Sequence, residues 1–269
     1  PERIIVIYTI RIDDSPKEQN VIPRQYITAR LNSESVSVKL SSVSYIYSPT
    51  IPSIEIAGSV QRFPVRRVYC VGWNYAEHVR EMGEEPEREP PVFFMKPPDA
   101  LVPNGSKVKY PPATKNFHYE IELVVAIGAP GTLIKANVAR DIIYGYAVGL
   151  DMTRRDLQAH AKKHGQPWAL SKSFDQSAPI SAVHPAVGAG HLERGRIWLE
   201  VNGETRQDGD LSQMIWGIPE IIQCLSGFFE LQPGDLIFTG TPAGVSPVVR
   251  GDRLRGGIEG LDILEITLS

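Results

Sequence analysis

The 269-residue sequence has only two cysteines, Cys70 and Cys224. Two thiols cannot build a disulfide framework, and no Cys/His spacing suits zinc. Both are expected to be reduced, buried thiols of a cytosolic protein. Long hydrophobic runs are missing too: nothing approaches the roughly 18 apolar residues needed to span a bilayer. The opening PERIIVIYTIRIDD holds a short apolar stretch without the layout of a secretory signal. No sign of charge dominates. With 28 basic and 31 acidic residues the net charge is −3, and no Lys/Arg run forms a nucleic-acid footprint. Nucleic acid and membrane are therefore set aside as partners, and a cytoplasmic location is expected. No repeat recurs at a fixed period. G-x-S-x-G and the P-loop are absent, and GAGHLERG (188–195) does not satisfy G-x-G-x-x-G. Nucleophile-elbow hydrolases and P-loop nucleotide enzymes lose their support.

What is present is a chain rich in turns, with 23 glycines and 22 prolines, and 42% hydrophobic. That suffices for one sizeable core. Residues 1–50 read as a small N-terminal segment of unknown role, with a strand over 36–47 and a linker at SPTIPS (48–53). Residues 51–269 read as the catalytic domain. RVYCVG, VFFMKP, HYEIELVVAIG and IIYGYAVGLDMT are strands. Asn74 with Glu77 fits an N-cap pair and Gly83 a stop, predicting a helix over 75–82. Thr153 with Asp156 fits a capping box for a helix ending at Gly165. Asn202-Gly203 signals a type I′ hairpin. SQMIWGIPEIIQCLSGFFEL has helical spacing across a proline. EEPEREPP (84–91) reads as a charged, mobile loop. The sum is an α+β, β-rich domain.

HYEIELVVAIG carries the chemistry. Residues i and i+2 of a strand share a face, so Glu120 and Glu122 project together while Ile121 and Leu123 pack the other way. Two carboxylates repel unless something positive compensates them. A hard divalent cation does so with oxygen ligands; a solvated edge strand carries the same pattern. Asp151, ending a buried strand before a helix, supplies a third carboxylate. Three leave about half an octahedral shell open to water and substrate. His78 and Glu81 are three apart on the short helix 75–82, the spacing of an imidazole base oriented by a carboxylate, or of an exposed pair. The adjoining loop makes this helix a candidate lid. Arg155 and Gln158 lie one turn after Asp151, within reach of substrate. Lys172 suits a substrate carboxylate, and TGTPAGV (239–245) offers backbone N–H groups for an anion. His160 and His164 share metal-like spacing, but flanking Lys162 and Lys163 mark a solvated face. His118, on the carboxylate face, is expected either to back up the site residues or to line the pocket rather than ligate.

These motifs in this order, with KSFDQSAPI, VNGETRQDGDLSQMIW and PGDLIFTGTPAGV, resemble the fumarylacetoacetate hydrolase (FAH) superfamily over roughly residues 64–268. The likeness is greatest to its acylpyruvate hydrolase branch, particularly the bacterial fumarylpyruvate hydrolases. The resemblance implies an FAH fold, a mixed β-sheet roll that is usually homodimeric. It implies that Glu120, Glu122 and Asp151 bind a divalent cation, Mg²⁺ or Mn²⁺ (Ca²⁺ in crystals). His78 and Glu81 would form a water-activating dyad. Arg155, Gln158, Lys172 and the backbone at Gly240 and Thr241 would hold a small oxo-acid, with Lys172 adding positive charge where pyruvate enolate develops. The implied activity is hydrolysis of a 2,4-dioxo acid, fumarylpyruvate to fumarate and pyruvate, in gentisate-type aromatic catabolism. Relatives usually carry Arg where this chain has Trp73, which removes a cation near the site mouth. The first 45 residues do not resemble the family's short lead. Three alternatives stay open: oxaloacetate decarboxylation or general acylpyruvase activity, a 2-hydroxyhepta-2,4-diene-1,7-dioate isomerase/decarboxylase, and a non-catalytic metal- and oxo-acid-binding module.

Overall fold

The computed structural model describes residues 9–10, 26–31, 34–39, 46–48, 50–84 and 89–269. The chain divides into two compact units, Pro1–Thr50 and Ile51–Ser269. In the first, Thr9–Ile10, Tyr26–Leu31 and Glu34–Lys39 form an antiparallel three-stranded sheet. The strand expected over 36–47 thus runs from Glu34 to Lys39, and residues 40–45 lie outside the described residues. Half of the expected loop 84–91 (residues 85–88) lies outside them too. The expected linker gives way at Ser53 to a short strand, Ser53–Glu55, paired with Arg62–Pro64.

The second unit is built on two sheets. The larger has eight strands, and Ile121–Ile127 lies near its middle. Ile143–Leu150 and Asp235–Phe238 pair antiparallel on either side of it. Arg67–Gly72 runs parallel to Asp235–Phe238, and Val92–Lys96 closes that side. The smaller sheet orders Glu204–Asp210, Arg196–Val201, Arg253–Ile258, Leu264–Leu268 and Lys107–Val108. Its apolar face meets the larger sheet. Ile121, Leu123, Val125 and Ile127 join a core with Ile197, Leu199, Leu254 and Ile266. Val124 and Ala126, on the opposite face, join Val68, Cys70, Leu236 and Phe238.

Burial on both faces explains why this strand reads as a nearly continuous apolar run. Fully burying one such aliphatic side chain contributes about 1.5–3 kcal/mol. Six of them in Ile121–Ile127, Ala126 contributing least, outweigh the several kcal/mol of desolvating a carboxylate at the strand's start. The strand can therefore hold Glu120 and Glu122 away from water.

Local signals succeed where the chain closes its own turn. Asn202 and Gly203, at φ 54° and 84°, link Val201 to Glu204 as a type I′ hairpin. Gly83 and Gly165, at φ 80° and 62°, follow the helices Ala76–Glu81 and Arg155–Lys163. Pro219 opens the helix Ile218–Phe228 instead of interrupting a longer one. Both expected capping pairs fail. The first helix is capped by Tyr75 and the second by Arg154, neither through a side chain. Asn74 and Asp156 form longer-range bonds instead. The Asp156 carboxylate accepts from Thr114 Oγ1 at 2.6 Å and Lys115 N at 2.9 Å.

Gly149 sits opposite Glu122 in the ladder, where an added Cβ would lie 2.5 Å from Phe238 Cε1 and 2.6 Å from Val124 Cγ2. Gly149→Ala is expected to cost about 1–3 kcal/mol by overpacking. Gly227, helical and with open space at its Cβ position, gives the contrast. Gly227→Ala is expected to gain about 0.5–1 kcal/mol. Thermal unfolding by circular dichroism should move Tm down for the first variant and up for the second.

Candidate active site

The central strand pair places the acids. Ile121 pairs with Leu150, so Glu120 and Asp151 adjoin at one end of the ladder, where Asp151 N donates to Glu120 O at 2.9 Å. The alternation of the strand turns Glu122 the same way. Oxygens of Glu120, Glu122 and Asp151 come within 4.8 Å of one another, all three residues buried. An edge strand in solvent is excluded, since Glu122 is 1% and Asp151 0% exposed.

Two buried lysines and an arginine share the space. Lys172 Nζ donates to Glu120 Oε2 at 2.7 Å, Asp151 Oδ2 at 2.6 Å and Thr153 Oγ1 at 2.7 Å. It is no surface lysine: it ends the helical turn Ala169–Lys172 with 2% exposure. Arg155 Nη2 pairs with Glu120 Oε1 at 2.5 Å, and its Nη1 donates to Gln158 Oε1 at 2.5 Å. Lys96 was not foreseen as part of the site. Its Nζ lies 2.8 Å from Asp151 Oδ1 and donates to the backbone oxygens of Met152 and Lys172. The sequence signal was a lysine ending an apolar strand, VFFMKP, directly before prolines.

The three carboxyls differ in their support. Burial pushes Glu120's carboxyl up, but the Lys172 ammonium and the Arg155 guanidinium outweigh burial and hold it well below the usual carboxylate range. Burial pushes Glu122 the same way, and the charges of Asp151 and Glu120 push it further, well above that range. Among the described residues Glu122 has no cationic partner in contact; its Oε2 accepts only the Gly240 N–H, at 2.8 Å. Asp151 Oδ1, although close to Lys96, accepts no hydrogen bond of good geometry. A buried carboxylate with no cation in contact, beside an Asp151 oxygen that has a charge nearby but no aligned donor, is what a hard divalent cation would satisfy.

His78 is buried on the helix Ala76–Glu81, its Nδ1 3.1 Å from Glu81 Oε2. Burial pushes Glu81's carboxyl up, but bonds from His78 and from the Gly244 and Val245 N–H groups outweigh it and leave it lowered. A charged carboxylate only accepts, so Nδ1 carries a proton and Nε2 is the ring nitrogen left to exchange one with water. His78, Glu120, Glu122, Arg155, Gln158, Lys172, Gly240 and Thr241 line one cleft, with Asp151 behind it.

In the 239–245 turn, expected to offer N–H groups to an anion, two of those groups meet carboxylates. Gly240 N serves Glu122, and Gly244 N donates to Glu81 Oε1 at 3.0 Å. It therefore binds two of the protein's own carboxylates. Gly240, at φ 96°, also leaves no room for a Cβ, which would meet Asn74 Cβ at 2.8 Å. Asn74 braces this turn through Thr239 O at 2.7 Å and also binds Trp216 O at 3.0 Å. Gln207 Nε2 holds Thr241 Oγ1 at 2.8 Å. Neither brace has a short-range sequence signal.

His118 stands behind Arg155. Arg155 Nε lies 3.5 Å from its Nδ1, and Asn116 Oδ1 is 2.8 Å from its Nε2. Burial and the Arg155 charge push its pKa down to about 4, so it is neutral at physiological pH. His160 and His164 are exposed, and His164 Nδ1 is engaged by His160 O at 2.8 Å. Cys70 and Cys224 are unpaired thiols, the first buried and the second partly so.

Comparison with known proteins agrees with this geometry. Residues 67–269 match the family model described as fumarylacetoacetate (FAA) hydrolase C-terminal. The chain is 48% identical over 180 residues to a fumarylpyruvate hydrolase of a Ralstonia species, covering 67% of this chain and 93% of that protein. It is 46% identical over 196 residues to the human mitochondrial oxaloacetate tautomerase FAHD1, covering 73% and 88%. It superimposes on the crystal structure of fumarylpyruvate hydrolase from Pseudomonas aeruginosa in complex with Mn²⁺ and pyruvate. There the TM-score is 0.82 at 53% identity, over 84% of this chain and 99% of that one. The sheet-rich α+β architecture is accordingly the FAH fold. On the match over 67–269 and these identities, the chain belongs to the fumarylacetoacetate hydrolase family.

Proposed function

We propose that this chain is a metal-dependent hydrolase that splits the C–C bond of a 2,4-dioxo acid, fumarylpyruvate first among them. The observation that carries the reading is one cleft lined by His78, Glu120 and Glu122, with Asp151 completing the acidic trio behind it and Glu81 bonded to His78. The fumarylpyruvate hydrolase relatives support it. Glu120, Glu122 and Asp151 would hold the cation, Mg²⁺ or Mn²⁺. When bound, it supplies Lewis-acid stabilisation of negative charge on the substrate's 2-oxo oxygen.

Charge arithmetic favours an anionic substrate. Glu120, Glu122 and Asp151 are balanced by Lys96, Lys172 and Arg155. A divalent cation would then leave the site net positive even with the Glu81 charge beside it, which favours a substrate carboxylate at the cation. Glu81 fixes the His78 tautomer, and Nε2 takes a proton from water. The water oxygen bonds to the C4 carbonyl carbon, and the C3–C4 bond breaks. Its electron pair passes to C3 as the enolate of pyruvate, which a proton then quenches. Arg155 and Gln158 orient the substrate, and Lys172 adds positive charge beside the developing enolate. A homodimer, a cytoplasmic place and a role in gentisate-type aromatic catabolism complete the reading and rest on the family resemblance.

A second reading has a specific basis, the likeness to oxaloacetate tautomerase. Oxaloacetate chemistry at the same cation, tautomerisation or decarboxylation, needs no attacking water. His78→Ala separates the two. Fumarylpyruvate hydrolysis, followed by pyruvate release with Mg²⁺ or Mn²⁺ present, is expected to fall about 10²–10⁴-fold. Conversion of oxaloacetate is expected to stay largely intact. Equal loss on both would remove His78 from water activation.

Glu122→Gln tests the cation. In chelator-treated protein the neutral isostere relieves an uncompensated buried charge, so Tm is expected to rise by about 2–4 °C. The sign with pH follows from the raised pKa. Below the usual carboxylate range Glu122 is neutral, folded or unfolded, and the variant gains nothing. The destabilisation of the metal-free wild type grows as pH climbs above that range. Added Mn²⁺ should reverse the order, stabilising the wild type and leaving the variant nearly unmoved. An unchanged Mn²⁺ response in the variant, with near-normal turnover, would contradict the assignment.

A further inference from the structure

Arg155, Gln158 and Lys162 occur at i, i+3 and i+7 of the helix Arg155–Lys163, one face over two turns. All three line the cleft that holds the acids. Arg155 is committed to Glu120 at the cleft floor. Lys162 stands at the other end of the stripe, about 10 Å further along the axis at 1.5 Å per residue. Its Nζ lies 5.0 Å from the centre of the Trp73 ring, a cation–π contact. The partner charge it has found is Glu84, whose Oε1 is 3.1 Å away on a half-exposed side chain. Beside it Trp168 packs edge-on against Trp73 and tilts against Phe94, with ring centres 5.5 Å and 5.6 Å apart. Trp73 holds φ 58°, a left-handed conformation unusual for a bulky residue.

An aromatic wall leading from an acidic floor to one outer cation among the described residues is a shape for one kind of molecule. We infer that Lys162, seated on Trp73, is the specificity-determining residue for a distal carboxylate. The acyl group favoured at this site is a flat, unsaturated chain ending in an anion. This rests on the hydrolase reading of the same cleft. An extended seven-carbon diacid spans somewhat less than the helical separation of Arg155 and Lys162, and the reach of their side chains covers the difference. Glu84 occupies Lys162 in the free protein and gives way to the substrate carboxylate. Lys162 is not a catalytic residue, since it is remote from the bond that breaks; it acts on substrate choice.

The test compares fumarylpyruvate, which has the distal carboxylate, with acetylpyruvate, which ends in a methyl group, on Mn²⁺-loaded enzyme. Lys162→Met and Lys162→Gln are expected to lower kcat/KM for fumarylpyruvate about 10- to 30-fold, mainly through KM, the loss of one charge-assisted bond in a partly open site. Acetylpyruvate should stay within about threefold, and Lys162→Arg should keep the wild-type ratio of the two. Glu84→Gln should leave that ratio unchanged or raise it. Parallel loss on both substrates, no loss on either, or a Glu84→Gln variant that reproduces Lys162→Met would each overturn the inference. In the last case Lys162 and Glu84 would act as a latch. Wild-type enzyme that turns over neither acid would instead defeat the hydrolase reading itself, and the inference with it.

Discussion

The ammonium of Lys172 lies between Glu120 and Asp151, bonded to both and to Thr153, with almost no exposure to water. Desolvating such a group costs several kcal/mol, which only close opposite charge offsets. Much of the site can be traced to that constraint. Two acids must stand at one end of a buried ladder, and the turn Ala169–Lys172 must deliver the lysine between them. Lys96 and Arg155 then take the outer oxygens of Asp151 and Glu120. Glu122 alone is left without a cation. The same arrangement thus stabilises two carboxylates and leaves a third seeking positive charge, a division that favours binding a metal over simply tolerating buried acids.

A second layer links the acids to the base. The 239–245 turn gives one N–H to Glu122 and another to Glu81. His78 is oriented through Glu81, so the position of the imidazole is coupled to the strand that carries the acids by a path of short hydrogen bonds. Asn74 and Gln207 brace that turn from two sides. Rigid positioning of a proton acceptor is worth orders of magnitude in rate, and here it comes mostly from backbone groups and amides.

Much of this was legible in the sequence, and the reasons differ by element. HYEIELVVAIG declared itself because an apolar run and paired acids are both local patterns. Asn202-Gly203 did so because a two-residue turn is decided by its own dihedral angles. Asn74 and Asp156 misled for the opposite reason. Each fits a helix cap locally, yet each gains more from distant partners, Thr239 and Trp216 for one and the Thr114 hydroxyl and Lys115 N–H for the other. Lys96 and Gln207 were hidden because a buried polar residue is recognisable only once its partners, far away in sequence, are known. Trp73 read as a missing cation; the structure sets Lys162 on its ring, one helix away.

The division of charge among the three acids is most directly tested by anomalous diffraction at the manganese edge from crystals of the Mn²⁺-loaded protein. One anomalous peak is expected, at coordination distance from Glu120, Glu122 and Asp151 together, with Lys172 still beside the first and third. A peak elsewhere, or none while Lys172 alone bridges the carboxylates, would contradict it.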